Sequence, residues 1–257
     1  MVEEIKKKKG WHTIAAYLAV FYIVASFVQI GLLYGAKILS FDLEKVSIQN
    51  FLSSLSNFVT YLILFVALIM IQAPDLKTDY IAFKEKEKNK TVAIMGSFAI
   101  FYLISLVFQN LVLSIEENFN FAYGLMGITD FLNTTSDNQT VIEQMMNGPG
   151  AVFMFISAVI LGPICEELVF RKAFFDIIEK PEIAIVISSL VFGSIHIFSS
   201  IGMYSALEIF LMTVPYVASG VALGYVYIRA KKNIWIPIIV HTLSNLISML
   251  AIIGTMI

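Results

Sequence analysis

The sequence predicts an all-α, polytopic transmembrane helical bundle of about seven spans, or eight, with its N-terminus in the cytosol. Three observations carry this prediction. Hydrophobic residues make up 58% of the 257 and charged residues only 14%, against about 45–50% and about 25% in soluble domains. The mean hydropathy of +0.83 agrees. The apolar residues fall in continuous runs without the alternation of a membrane β-barrel. All but Lys37 and Lys45 of the 17 Lys and Arg fall on one side of a seven-span arrangement, which places that side in the cytosol. A single cysteine, Cys165, excludes a disulfide scaffold. The net charge of −2 gives no reason to expect nucleic acid.

A span needs roughly 20 mostly apolar residues. Residues 1–12 form a basic cytosolic N-terminus holding Lys6, Lys7, Lys8 and Lys9. The stretch at about 13–36 is too long for a signal-peptide core and reads as a retained anchor. The next two, about 51–73 and 91–115, carry no charge. The Lys/Glu run 84–90 between them reads as a cytosolic loop with anionic lipid headgroups as neighbours. The loop 116–149 has no Lys or Arg and is assigned to the outer side, with sequons at Asn133 and Asn138.

Together, residues 13–149 make a three-helix part, and 150–257 a four-helix core. Its stretches lie at about 150–178, 183–200, 205–228 and 233–256, and Pro215 would divide the third of them if an eighth span exists. Glu208 is expected at the outer interface, and Trp11 and Trp235 in the cytosolic aromatic belt. The pairs Gly31/Gly35 and Gly220/Gly224 read as close helix packing within the fold.

The stretch at 150–178 is anomalous because Glu166, Glu167, Arg171 and Lys172 interrupt it. An ionised side chain at a helix centre costs about 2.5–3.5 kcal/mol on insertion scales. These groups must therefore face the protein interior or a wet cavity. Glu167 and Arg171 are at i, i+4 and can pair along one face. Glu166 points about 100° away and is left for another partner, so it suits a general base. Gly162-Pro163, just before, is expected to bend the helix. His196 lies one turn after Phe192, and His241 has Asn245 at i+4. Counted at 1.5 Å per residue, Glu166, His196 and His241 lie roughly 12–21 Å deep. Two histidines, a carboxylate and an amide at one depth make a hydrolytic set. A proton- or ion-coupled transporter uses the same residue types, and a non-catalytic scaffold can use them as interhelical glue.

These residues resemble the CAAX protease and bacteriocin-processing family of intramembrane proteases. Three patterns carry the resemblance over about residues 150–250. E-E-x-x-x-R reads Glu166-Glu167-Leu168-Val169-Phe170-Arg171, F-x-x-x-H reads Phe192 to His196, and H-x-x-x-N reads His241 to Asn245. The chain departs from the family in having Lys172 where many members have Gly, and the eukaryotic members have eight spans. The first 150 residues add no motif.

The resemblance implies an endopeptidase in which Glu166 and His196 activate water while His241 and Asn245 stabilise the oxyanion. Glu167, Arg171 and Phe192 would hold the site in shape or position the substrate. It implies a prenylated tail, or a leader, pheromone or bacteriocin peptide, as substrate. Membrane lipids are its surroundings, and a bacterial plasma membrane is the expected location. No cofactor is expected. Zinc is the alternative, with Glu166, His196 and His241 as ligands. A non-catalytic bacteriocin-immunity protein is the competing function beside the transporter. Cys165 reads as a small buried hydrophobe rather than a nucleophile.

Overall fold

The computed structural model describes residues 1–86, 90–125 and 137–256, and among them the chain is helical with no strand. The first helix, α1 (Val2–Ile38), runs straight from the basic segment into the first apolar stretch. The basic residues thus form one end of a long helix. Helix α2 (Val46–Lys86) is 41 residues long, about twice the hydrocarbon thickness at 1.5 Å per residue. Its charged end, from Asp75 to Lys84, extends beyond the apolar part. Helix α3 (Lys90–Gly124) continues past the expected end of its span.

A short helix, α4 (Asp137–Met146), occupies part of what reads as an outer loop. It was not expected from the sequence. Ile142 and Met146 pack it against Met154 and Met249. The Asn133 sequon lies outside the described residues.

Helix α5 (Ala151–Ile177) is the centre of the fold. In its most apolar stretch 61% is buried inside the protein, against 6% for α3, so α5 is a core helix and α3 a peripheral one. Two π turns, Ser157–Leu161 and Leu168–Ala173, flank the segment Gly162–Glu167. Pro163 cannot donate the backbone bond that a regular helix needs there, and the preceding turn widens, so that the Gly162 N–H reaches the Ser157 carbonyl. Gly162 itself has no room for a Cβ, which would lie 2.9 Å from that same carbonyl oxygen. The bend expected at Gly162-Pro163 is therefore a local π widening of a continuous helix.

Helix α6 (Pro181–His196) begins with proline in its first turn, where the missing N–H is harmless. It was expected to reach residue 200, yet it stops at His196. Its 16 residues give about 24 Å, less than the hydrocarbon thickness. A 3-10 turn, Phe198–Ser200, follows.

Helix α7 (Ala206–Arg229) starts in a capping box, with Ser205 accepting from the Glu208 N–H and Glu208 bonding back to the Ser205 N–H. Glu208 thus closes a helix end. The helix passes Pro215 without dividing, and α8 (Trp235–Met256) ends the fold. Six helices, α1, α2, α3, α5, α7 and α8, are long and apolar enough to cross a membrane, and α6 is a shorter apolar helix. The protein is a polytopic helical membrane protein.

The Tyr17, Leu64, Leu68, Leu168, Phe170 and Phe192 side chains form the main core around α5. Helix α7 lies tightly on α6, because a Cβ on Gly220 would sit 2.9 Å from the Ser189 Cα and one on Gly224 would sit 3.1 Å from Ile185. The Gly31/Gly35 pair differs from expectation. Among the described residues, no atom lies within 4 Å of a Cβ there, because that face of α1 is turned away from its neighbours.

At the charged end, Lys172 reaches Asp79 at 3.3 Å, Asn233 donates to the Asp79 carbonyl, and the Trp235 indole donates to the Leu76 carbonyl. Lys172, the departure from the family pattern, therefore ties α5 to α2.

Candidate active site

Three separate helices bring the expected residues together. Glu166 from α5, Phe192 and His196 from α6, and His241 and Asn245 from α8 line one cavity of about 300 Å³. Glu167 and Arg171 do not line it. They lie behind it, fully buried.

Behind the cavity, the Arg171 Nε lies 3.2 Å from Glu167 Oε2 as an ion pair. Arg171 also donates from Nη2 to the Gly220 carbonyl at 3.1 Å, and its guanidinium covers the Phe192 ring at 5.2 Å. The absence of a side chain at Gly220 lets α7 come close enough to offer that carbonyl. Glu167 Oε1 lies 2.8 Å from His241 Nδ1. A carboxylate only accepts, so Nδ1 is the donor and the His241 ring is fixed with Nε2 turned away from Glu167. That Nε2 lies 3.7 Å from Glu166 Oε2.

Glu166 is 7% exposed, and its other oxygen accepts from the Tyr61 hydroxyl at 3.2 Å. Its partners are thus a phenol from α2 and an imidazole from α8. Among the described residues no direct hydrogen bond joins Glu166 to His196; the two share the cavity wall. His196 Nδ1 lies 2.7 Å from the Phe192 carbonyl. That oxygen can only accept, so Nδ1 carries the hydrogen and the neutral ring keeps its lone pair on Nε2. The ring stacks on Tyr216, with centroids 4.6 Å apart. The Asn245 amide donates to the Ala158 carbonyl at 2.8 Å, which leaves its second N–H for another acceptor.

Tyr61, Asn57, Tyr216 and Asn138 also line the site and were not read from the sequence. Tyr61 and Tyr216 lie in long apolar stretches where an aromatic residue gives no signal. Asn138 was read only as a sequon, and the fold turns it towards the cavity. Cys165, beside Glu166, is fully buried, with the distant Tyr61 carbonyl at 4.0 Å as its hydrogen-bond partner among the described residues.

Among the described residues, no group of three or more His, Cys, Asp or Glu side chains is placed to hold a metal ion. Glu166, His196 and His241 share the cavity wall.

The comparisons with known proteins agree with the motifs. Residues 148–247 match the family described as "Type II CAAX prenyl endopeptidase Rce1-like". A Bacillus subtilis (strain 168) protein named "Putative membrane peptidase YdiL" is 32% identical over 133 residues, covering 49% of this chain and 48% of that protein. An "Uncharacterized protein" of Mycoplasma capricolum subsp. capricolum is 33% identical over 105 residues, covering 41% of this chain and 29% of that protein. The chain therefore spans about half or less of the length of these relatives. No solved structure matches it. The segment 148–247, which holds Glu166, His196, His241 and Asn245, is thus similar to the Rce1-like family of CAAX prenyl endopeptidases.

Proposed function

We propose that the protein is an intramembrane endopeptidase that hydrolyses a peptide bond with water activated by Glu166 and His196. One observation carries this reading: a carboxylate, two imidazoles and an amide from three helices line a single cavity. The peptidase naming of the matched family and of the Bacillus relative supports the same reaction class.

In this mechanism a water lies between Glu166 and His196. His196 Nε2 accepts one of its hydrogen bonds, and Glu166 takes the proton as the water oxygen attacks the substrate carbonyl carbon. The carbonyl electron pair moves onto its oxygen. The free Asn245 N–H and His241 Nε2, when protonated, donate to that oxyanion. The tetrahedral intermediate then collapses, the C–N bond breaks, and Glu166 returns the proton to the leaving amine. Glu167 fixes the His241 ring, and Arg171 balances the Glu167 charge. Arg171 also braces Phe192, whose carbonyl fixes His196. The proposed reaction is metal-free.

The proposed substrates are a prenylated tail or a leader, pheromone or bacteriocin peptide, and the proposed location is a bacterial plasma membrane. The Bacillus and Mycoplasma relatives support the location. The test is cleavage of farnesylated tails and leader peptides by purified protein, with Glu166→Ala, His196→Ala and a strong chelator as separate arms. Cleavage that survives chelation and is lost in both variants is expected. Cleavage lost on chelation and restored by zinc would overturn the metal-free mechanism, and cleavage retained by Glu166→Ala would overturn the role of Glu166.

A further inference from the structure

Helix α2 carries a polar stripe that the catalytic reading leaves unused. Gln49, Ser53, Ser56, Asn57, Thr60 and Tyr61 follow one another at steps of one, three or four residues, so they share one face of the helix. The stripe runs about 18 Å, from the end of α2 assigned to the outer side to the phenol that holds Glu166. It borders a series of connected spaces. One of about 170 Å³ is lined by Gln29, Gln49 and Ser53. The next, about 290 Å³ between α1, α2 and α4, shares Gln29 and Ser53 with it and continues past Ser56 and Thr60 to Asn57 and Asn138. Those two asparagines also line the cavity that holds Glu166.

The hydroxyls of the stripe differ from others in the helices. Ser54, Thr78 and Ser157 each donate to the carbonyl four residues back. Among the described residues, no hydrogen bond joins the side chains of Gln29, Ser53, Ser56 or Thr60 to the protein. Yet Ser56 is only 7% exposed and Thr60 only 3%. A buried polar group without a protein partner bonds to water, and an internal water needs about two to four such groups. Nearer the cytosol the same two helices are tightly joined: Lys9 pairs with Asp75, and the fully buried Gln72 donates to Thr13.

We propose that this face of α2 is a water conduit, in which Gln29, Ser53, Ser56 and Thr60 hold a file of waters between the outer surface and Glu166. Asn57, one turn before Tyr61, is where the file meets the catalytic cavity. The use of that water in hydrolysis rests on the endopeptidase reading, because each cleaved peptide bond consumes one water at a carboxylate set within the membrane.

Silver ion, which is close to water in size and reacts with thiols that water reaches, tests the route without any need for cleavage. In a Cys165→Ala background, Ser53→Cys, Ser56→Cys and Thr60→Cys are reacted in vesicles of known orientation. Leu62→Cys, on an exposed face of α2 at a similar depth, is the control. The three are expected to react about tenfold or more faster than the control, since a thiol ionises readily only in a polar setting. They are also expected to react faster with silver on the outer side than on the cytosolic side. Rates no faster than the control would overturn the proposal, as would rates equal from both sides or faster from the cytosolic side.

The second readout blocks the file after the protein has folded, by coupling a bulky methanethiosulfonate to the Ser56→Cys variant. The block is expected to lower kcat several-fold at unchanged KM, and a reductant is expected to restore it. A kcat left intact by the block, with or without a rise in KM, would overturn the supply of water by this route. Silver access along the stripe together with no peptide cleavage by the wild type would leave the conduit standing and refute the endopeptidase reading alone.

Discussion

Arg171→Met is expected to be among the most destabilising single substitutions in the chain. Arg171 and Glu167 are both fully buried. Removing the guanidinium leaves the Glu167 carboxylate with His241 as its remaining partner and strands Oε2, 3.2 Å from where Nε had been. Two unit charges about 4 Å apart at an effective dielectric near 20 interact by about 4 kcal/mol, and breaking a buried pair from one side costs about 3–5 kcal/mol.

The single cysteine provides the assay. Cys165 is fully buried, so a thiol-reactive fluorogenic dye reports unfolding on heating. At roughly 2–4 °C per kcal/mol for a chain of this size, the loss corresponds to a Tm lower by roughly 6–20 °C. Arg171→Lys, which keeps the charge and loses the fork, should fall between the two. Glu167→Gln combined with Arg171→Met should recover part of the loss, because no unpaired charge remains. A Tm for Arg171→Met within about 2 °C of wild type, with the double variant no better, would refute this account of the cluster.

Other predictions follow from single contacts. Gly220→Ala should lower Tm, because its Cβ would lie 2.9 Å from the Ser189 Cα and overpacking costs about 1–3 kcal/mol. Gly31→Ala and Gly35→Ala meet nothing within 4 Å, so the same assay should show no loss, and a helix-propensity gain of up to about 1 kcal/mol. Ser205→Ala removes the cap of α7 and should cost about 1 kcal/mol, read as a lower Tm, whereas Ser205→Asp should retain it.

The Glu179 carboxyl, paired with Lys7 at 2.5 Å, is held below its ordinary range by that lysine. Its contribution is present above the usual carboxylate range and lost as pH falls through the lowered value. The small Tm difference between wild type and Glu179→Gln should therefore disappear in acid and in high salt. A difference that grows on acidification would contradict the pairing.

The membrane class, the positions of six long apolar helices and the candidate residues of the motifs were legible in the sequence. Each is a property of a single segment. A run of apolar residues long enough for a bilayer is visible without knowing its neighbours. Glu166, Glu167 and Arg171 stand out because charges inside such a run are costly. The i, i+4 geometry of Glu167 and Arg171 and the matched motifs also lie within one helix each.

Which groups meet across helices was decided by the tertiary structure alone. The family resemblance set Glu166 and His196 on one water, and the fold adds Tyr61 and His241 as the direct neighbours of Glu166, with His196 on the same cavity wall. It read Gly31/Gly35 and Gly220/Gly224 alike, and only the second pair meets a neighbour. The π turns around Gly162–Glu167, the early end of α6, and the α4 helix that turns Asn138 to the cavity were likewise not visible. In hydrocarbon every helix satisfies its own backbone and lipid is as apolar as a leucine face. Apolar periodicity therefore marks where a helix lies but not which of its faces meets another helix. That choice is made by close packing at glycines and by a few buried polar bonds, whose partners lie far apart in the chain.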